Sequence, residues 1–175
     1  MAKKPNVPVI VFASIILVGF ILVLVSMCSP IISQAQLKVS IGLFDEEWAE
    51  LEKASEMASA LGLTLPDRTF TLIAFVLLIL STIMALVNAI LGIFQKGIKG
   101  LGIAGGVIAI VSGVLVLSAG MLLAGQFNTY MRLVNTTVAP GAGIWLGGFA
   151  GILIGVMGII AAAKGAKKKA APAAA

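Results

Sequence analysis

Charged residues divide the chain into four long uncharged stretches, and this spacing limits what the chain can fold into more than any other feature. The stretches run for 33 residues after Lys4, 27 after Arg68, 32 after Lys99 and 31 after Arg132. Each exceeds the roughly 20 residues that a helix needs to cross about 30 Å of hydrocarbon. With 60% apolar and 11% charged residues and a mean hydropathy of +1.14, the composition excludes an ordinary soluble domain.

The bilayer also restricts the form that these stretches can take. In hydrocarbon every backbone N–H and C=O must be bonded within the protein, so a spanning segment is either a helix or a strand of a closed barrel. The stretches lack the alternation of apolar and polar residues that barrel strands show. The sequence therefore predicts an all-α membrane protein, a single four-helix bundle over residues 1–175, with spans at 7–28, 69–94, 101–125 and 144–163.

The flanking charges predict the orientation of these spans. Eight lysines and no acid flank the side that holds both termini. The opposite side consists of an outer loop over residues 29–68 and a second loop over 126–143, and its net charge is −3. By the positive-inside rule, both termini are expected to face the cytoplasm, or the matrix or stroma of an organelle.

The lysines on the terminal side also indicate partners. The tail over residues 166–175 is predicted to be disordered, since Ala, Pro and Lys give it no core to bury. Four lysines in or beside this tail are suited to anionic lipid headgroups: Lys164, Lys167, Lys168 and Lys169. The expected partners are the lipid bilayer and other membrane subunits or further copies of the chain, and no nucleic acid is expected.

The first span has an alternative interpretation as a signal peptide. Lys3 and Lys4 precede it, and Ser33-Gln34-Ala35 could be a cleavage site. An apolar core of about 20 residues exceeds the usual 7 to 15 of a signal sequence, so a retained span is favoured. Cys28 is then an apolar residue at the outer end of the span.

Both outer loops contain short patterns. Between residues 37 and 43, apolar residues alternate with Lys38, Ser40 and Gly42, which predicts a half-buried strand. The segment over 133–138 in the second loop is the expected pairing partner. The same loop holds the sequon Asn135-Thr136-Thr137, which would be used only in a eukaryotic secretory membrane.

A helix is predicted after the strand, with Asp45 as its N-cap and Gly62 as its C-terminal stop. One face of this helix is apolar and the rest is acidic, so it is expected to lie flat on the bundle or at the headgroups. The acidic side is either a solvated face or a docking surface for a basic partner. The candidate interaction residues are Trp48, Leu51, Asp45, Glu47 and Glu50.

Missing residue types exclude many chemistries. The chain has no His and one Cys, which removes Ser-His and Cys-His pairs and the usual zinc sites. No Asp, Glu, Lys or Arg lies inside a predicted span, although proton relays, coupled transporters and voltage sensors need such buried ionisable groups. We therefore expect no enzyme, no catalytic residue, no cofactor and no metal. Asn88 is the one strongly polar residue inside a span, and its amide is expected to bond to a neighbouring helix.

Small residues form stripes at helical spacing in the third and fourth spans. In lipid such stripes allow close backbone approach, which holds helices together by dispersion and weak hydrogen bonds. Packing within one bundle is the default expectation, and a second face with Gly105, Ser112 and Ala119 leaves room for a partner helix. The candidate packing residues, besides Asn88, are Gly102, Gly106, Gly113, Gly120, Gly147, Gly151, Gly155 and Gly158.

The order of these features resembles the claudin-like tetraspans, including the amastins. The chain shares their four spans, the longer first outer loop with a strand and then a helix, and the short second loop. Gly42-Leu43-Phe44 is similar to the Gly-Leu-Trp of the claudin first loop. The chain departs from claudins in lacking both loop cysteines, in having Phe44 for Trp, and in a loop too short for a four-stranded sheet. The resemblance implies a non-enzymatic protein that associates laterally in the membrane.

These observations lead to one expected function and two alternatives. The first is a non-catalytic membrane scaffold that assembles laterally through its glycine-rich helix faces and acidic outer helix. The second is a small accessory subunit of a respiratory, photosynthetic or transport complex. The third is a channel or carrier for a neutral solute, with Asn88 as its polar contact.

Overall fold

The computed structural model describes residues 7–34, 39–50, 52–53, 66–94, 96–131 and 137–165. Four long helices dominate it: α1 (Val7–Met27), α2 (Thr69–Ile93), α3 (Lys99–Met131) and α4 (Ala142–Gly165). Each is long and apolar enough to cross a membrane. The prediction of a four-helix integral membrane protein is therefore confirmed. The sequon at Asn135 and the tail over 166–175 lie outside the described residues.

The helix ends agree with the predicted spans except at the end of α3. This helix continues to Met131, whereas the sequence predicted its end at residue 125. Its 33 residues correspond to about 50 Å of helix, which exceeds the roughly 30 Å of a hydrocarbon core. The last turns of α3 therefore project beyond the bundle and are available to support the loops.

The α4 helix packs against all three other helices. In the most apolar 18-residue segment of α4, 50% of the residues are buried inside the protein, compared with 33% in the corresponding segment of α1. Helices α2 and α3 also contact each other, while α1 packs mainly against α4. The helix that is richest in glycine therefore occupies the centre of the bundle, where the space between neighbours is smallest.

A three-stranded antiparallel sheet lies at one end of the bundle. Its strands are β1 (Pro30–Gln34), β2 (Val39–Gly42) and β3 (Ala139–Pro140), and β1 lies between the other two. The predicted strand is confirmed over β2, which pairs with β1. Residues 133–136 of its expected partner lie outside the described residues. The described part of the second loop contributes β3, which pairs with β1.

Strand β1 was not predicted, because its apolar and polar residues do not alternate in the sequence. The pairing of β1 with β2 is irregular between Pro30 and Ile32, so that Ile31 and Ile32 are both buried. A bulge of this kind places two successive side chains against the core and removes the period of two. The segment therefore carries no strand pattern in its sequence.

We refer to one end of the molecule as the sheet layer and to the other as the lysine end. The sheet layer comprises the described residues of 28–53, 66–68 and 126–141. The lysine end comprises residues 94 and 96–99, the start of α1 and the end of α4, and its described lysines are Lys96, Lys99 and Lys164.

Candidate functional site

Trp48 is the centre of the sheet layer. Its side chain is 1% exposed, and its ring meets the ring of Phe127 edge to face at a centroid distance of 6.0 Å. The indole Nε1–H donates to the carbonyl of Gly42 at 2.7 Å, so the one polar atom of the ring is satisfied. The ring is enclosed between the loop and the end of α3, so Trp48 faces the bundle and its side chain presents no surface to a partner.

Arg68 fixes the loop from the other side. Its guanidinium donates to the carbonyl of Leu43 at 2.7 Å and lies 5.3 Å from the Trp48 ring centroid, a cation–π arrangement. It also pairs with Glu52 at 3.3 Å. The Glu52 carboxylate is 67% exposed, so this pair contributes at most about 1 kcal/mol. The buried contacts to Leu43 and Trp48 are the ones that anchor the loop to the start of α2.

The projecting end of α3 supports the sheet through Asn128. The Asn128 amide oxygen accepts from the N–H of Val138 at 2.6 Å, and its amide nitrogen donates to the carbonyl of Val138 at 2.8 Å. The side chain thus replaces a neighbouring strand for the residue before β3. Two residues earlier, the side-chain oxygen of Gln126 accepts a hydrogen bond from the backbone N–H of Asp67. Sequence analysis assigned both residues to a loop and so missed them.

The acidic residues of the sheet layer divide into two groups. The Asp45 carboxylate accepts a hydrogen bond from the N–H of Gly42, so it closes the turn after β2. The helical turn begins at Glu47, two residues after the predicted N-cap. Glu46, Glu47 and Glu50 are exposed. Leu51 and Gly62 lie outside the described residues, so the extent of the predicted helix stays untested.

The close contact between α3 and α4 depends on glycines from both helices. A Cβ on Gly113 would lie 2.6 Å from the carbonyl oxygen of Gly148 and 2.9 Å from the N of Ile152. Two turns earlier in α3, a Cβ on Gly106 would lie 2.6 Å from the Cγ1 of Ile159. The glycines at this seam, which we call the α3–α4 seam, are Gly106, Gly113, Gly120, Gly148, Gly151 and Gly155.

Other predicted packing glycines face the remaining helices. Gly147 lies against Phe75 of α2 and Ser26 of α1, and Gly158 faces Ala85 of α2. Gly102 packs against the Asn88 amide. The structure thus places the predicted glycines at contacts within the chain.

The face of α3 expected to accept a partner helix is occupied. A Cβ on Gly105 would lie 3.3 Å from the Cβ of Met84 in α2, and Ser112 and Ala119 are each 1% exposed. That expectation is wrong, because α2 fills the position that the sequence left open. The described lipid-facing surface carries mainly large aliphatic and aromatic side chains instead.

Asn88 lies close to the lysine end. Its side chain is 2% exposed, and its amide oxygen accepts from the N–H of Ile98 at 3.0 Å. Ile98 directly precedes α3, so Asn88 bonds to the turn that joins α2 and α3 rather than to a position deep in a helix. The amide stabilises this turn.

Three of the buried hydroxyl groups of the bundle bond within their own helices. Ser26 donates to the carbonyl of Val23, while Ser81 and Thr82 both donate to the carbonyl of Leu78. Such bonding satisfies a hydroxyl locally in the absence of water. These three groups therefore offer no free donor to a solute.

At the lysine end, the Lys164 ammonium lies 5.7 Å from the ring centroid of Phe12 in α1. This distance is that of a cation–π contact, and Lys164 is exposed. Lys96 and Lys99 are exposed at the same end. Lys167, Lys168 and Lys169 lie outside the described residues.

Among the described residues, no group of three or more Cys, Asp or Glu side chains could hold a metal ion. The arrangement offers two kinds of surface: an aliphatic belt in the membrane and a sheet layer with exposed acids. Comparison with family models, curated proteins and solved structures finds no match for the chain.

Proposed function

We propose that this chain is a non-catalytic membrane scaffold, claudin-like in topology, that associates with other subunits through its sheet layer. The observation that carries the proposal is the exposed acidic group of Glu46, Glu47 and Glu50 beside the anchored Trp48. A charged surface held by a buried aromatic residue is pre-organised, so little conformational entropy is lost when a partner binds.

The seam glycines pack against other helices of the same chain, and this favours the sheet layer over the helix faces as the surface that contacts other subunits. Close helix association in lipid requires small residues at the interface. The predicted glycines already contact neighbouring helices of the same chain, including Gly113 against Gly148 and Gly105 against Met84. We therefore retain the scaffold function and assign the interaction surface to the sheet layer, outside the membrane.

The satisfied polar groups of the bundle argue against catalysis and solute transport. Asn88 is bonded to Ile98, and the hydroxyls of Ser81 and Thr82 are bonded to a backbone carbonyl. A carrier for a neutral solute would need polar groups free to exchange partners as the solute passes. This makes a structural role the better interpretation of the membrane part.

The proposal is tested by charge reversal at the exposed acids. The full chain would be crosslinked in its native membrane and solubilised in mild detergent, and its companions would be identified by mass spectrometry. We expect the triple variant Glu46→Lys, Glu47→Lys and Glu50→Lys to lose at least about 80% of a specific companion. A matched control at the opposite end, Lys96→Glu with Lys99→Glu, should keep it.

Two results would contradict the proposal. One is a companion that is retained equally by the wild type and the acid-reversed variant. The other is solute flux or substrate turnover by the purified chain alone in liposomes, since a scaffold has neither activity.

A further inference from the structure

A groove opens to the membrane along the outer surface of α4. It has a volume of about 550 Å³ and is lined by Leu22, Ala142, Trp145, Leu146, Phe149, Ala150 and Leu153. All but Leu22 belong to α4, and Leu22 comes from the neighbouring α1. Ala150 is 4% exposed, whereas Phe149 is 59% exposed, so a small buried residue lies beside a large projecting one.

The length of the groove and its position along α4 match one leaflet of a bilayer. Its lining extends along α4 from Ala142 to Leu153, which is about 16 Å of helix. Half of a hydrocarbon core is about 15 Å. Ala142 begins α4 directly after the sheet layer, and Trp145 follows within one turn, where Trp commonly marks the membrane interface. The groove therefore runs from the interface to the middle of the membrane.

The lining indicates the chemistry of the occupant. Every lining residue is apolar, and Trp145 and Phe149 are stacked at a centroid distance of 6.0 Å, forming a continuous aromatic wall. The volume falls within the roughly 300–1,000 Å³ of small-molecule sites. A ligand that needs polar recognition would find none along this lining.

A transmembrane helix does not suit this groove. Closely packed helices need small residues at their contact, whereas Trp145, Leu146 and Phe149 project here. A spanning partner would also contact both leaflets, but the groove ends at Leu153, near the middle of α4. The groove surface is far smaller than the roughly 800 Å² that each partner buries in a standard interface.

From these observations we propose that the groove holds one acyl chain of a phospholipid from the leaflet at the sheet layer. The acyl chain lies along α4, between Leu22 and the wall formed by Trp145 and Phe149, and the lipid headgroup lies beside Ala142. This inference needs only the membrane placement of the four helices and does not depend on the proposed scaffold function.

Native mass spectrometry of the full chain in mild detergent tests the proposal, with dipalmitoyl phosphatidylcholine as the added probe. We expect one retained phospholipid per wild-type chain. The variant Ala150→Leu fills the floor of the groove, and Ala142→Phe obstructs its mouth at an exposed position that leaves the buried packing intact. Each should retain at most about a fifth of the wild-type amount. Ala163→Phe, at an exposed position on α4 far from the groove, should retain the wild-type amount.

A second arm varies the lipid. A phosphatidylcholine with eight-carbon chains should be retained several-fold less than the sixteen-carbon lipid, and a sixteen-carbon phosphatidylglycerol equally well. Equal retention by Ala142→Phe and wild type would overturn the proposal, as would a loss in Ala163→Phe as large as that in Ala142→Phe. So would retention that follows the headgroup and ignores chain length. A dimer that Ala142→Phe dissociates would instead assign the groove to a second copy of the chain.

Discussion

Replacing Gly113 with Ala tests how closely α3 and α4 approach each other. The added Cβ would lie 2.6 Å from the carbonyl oxygen of Gly148, and an ordinary contact begins at 3.4 Å. The helices must therefore separate locally by about 0.8 Å. The atoms in the way belong to the backbone of α4, so no side chain can rotate to make room.

The expected cost follows from this separation. A gap of 0.5–1 Å forfeits about a quarter to a half of the dispersion attraction between the atoms on either side. Overpacking of a tight core costs roughly 1–3 kcal/mol, and a backbone obstacle places Gly113→Ala near the upper end. At about 3 kcal/mol, the unfolding equilibrium shifts by roughly a hundredfold.

Two further glycines provide a graded control. Gly125 lies on the same helix with nothing within 4 Å of its added Cβ, so Gly125→Ala should be neutral or stabilise by up to about 1 kcal/mol through helix propensity. A Cβ on Gly158 would lie 3.3 Å from the Cβ of Ala85, which predicts an intermediate cost.

Unfolding in mixed micelles of maltoside and dodecyl sulfate would give the three free energies of unfolding. Tryptophan fluorescence is a suitable probe in a Trp145→Phe background, where Trp48 is the one remaining tryptophan and its ring is buried when the chain is folded. From the most to the least stable variant, the expected order is Gly125→Ala, Gly158→Ala and Gly113→Ala. If Gly113→Ala lay within about 0.5 kcal/mol of Gly125→Ala, the close α3–α4 contact would be refuted.

Three more predictions concern the sheet layer. Trp48→Ala should destabilise the sheet layer by about 3–5 kcal/mol, seen as faster proteolysis in the loops, and an unchanged cleavage rate would contradict its central position. Asn128→Leu removes both hydrogen bonds to Val138, so the Val138 amide should exchange with deuterium about tenfold faster or more, while unchanged protection would exclude this pairing. Cys28, the one cysteine of the chain, is exposed at the sheet layer. In intact cells or right-side-out vesicles a membrane-impermeant maleimide should label it, and labelling only after permeabilisation would reverse the predicted orientation.

The sequence alone determined that this is a membrane protein and that four of its helices are long and apolar enough to span the bilayer. Apolar transfer free energies add along a single helix, so an uncharged stretch such as 69–95 carries its own prediction of a span without reference to the rest of the chain. The same local reasoning identified β2 by its alternation and the glycines by their spacing.

Tertiary structure decided which segments meet. Whether Gly105 faces α2 or a partner subunit depends on where α2 lies, and no residue near Gly105 in sequence encodes that position. The burial of Trp48 depends on α3 continuing to Phe127, and the place of β3 depends on a bulged β1 that shows no pattern. Hydropathy and helical period are properties of one segment, whereas packing partners are chosen by the shapes of several segments together.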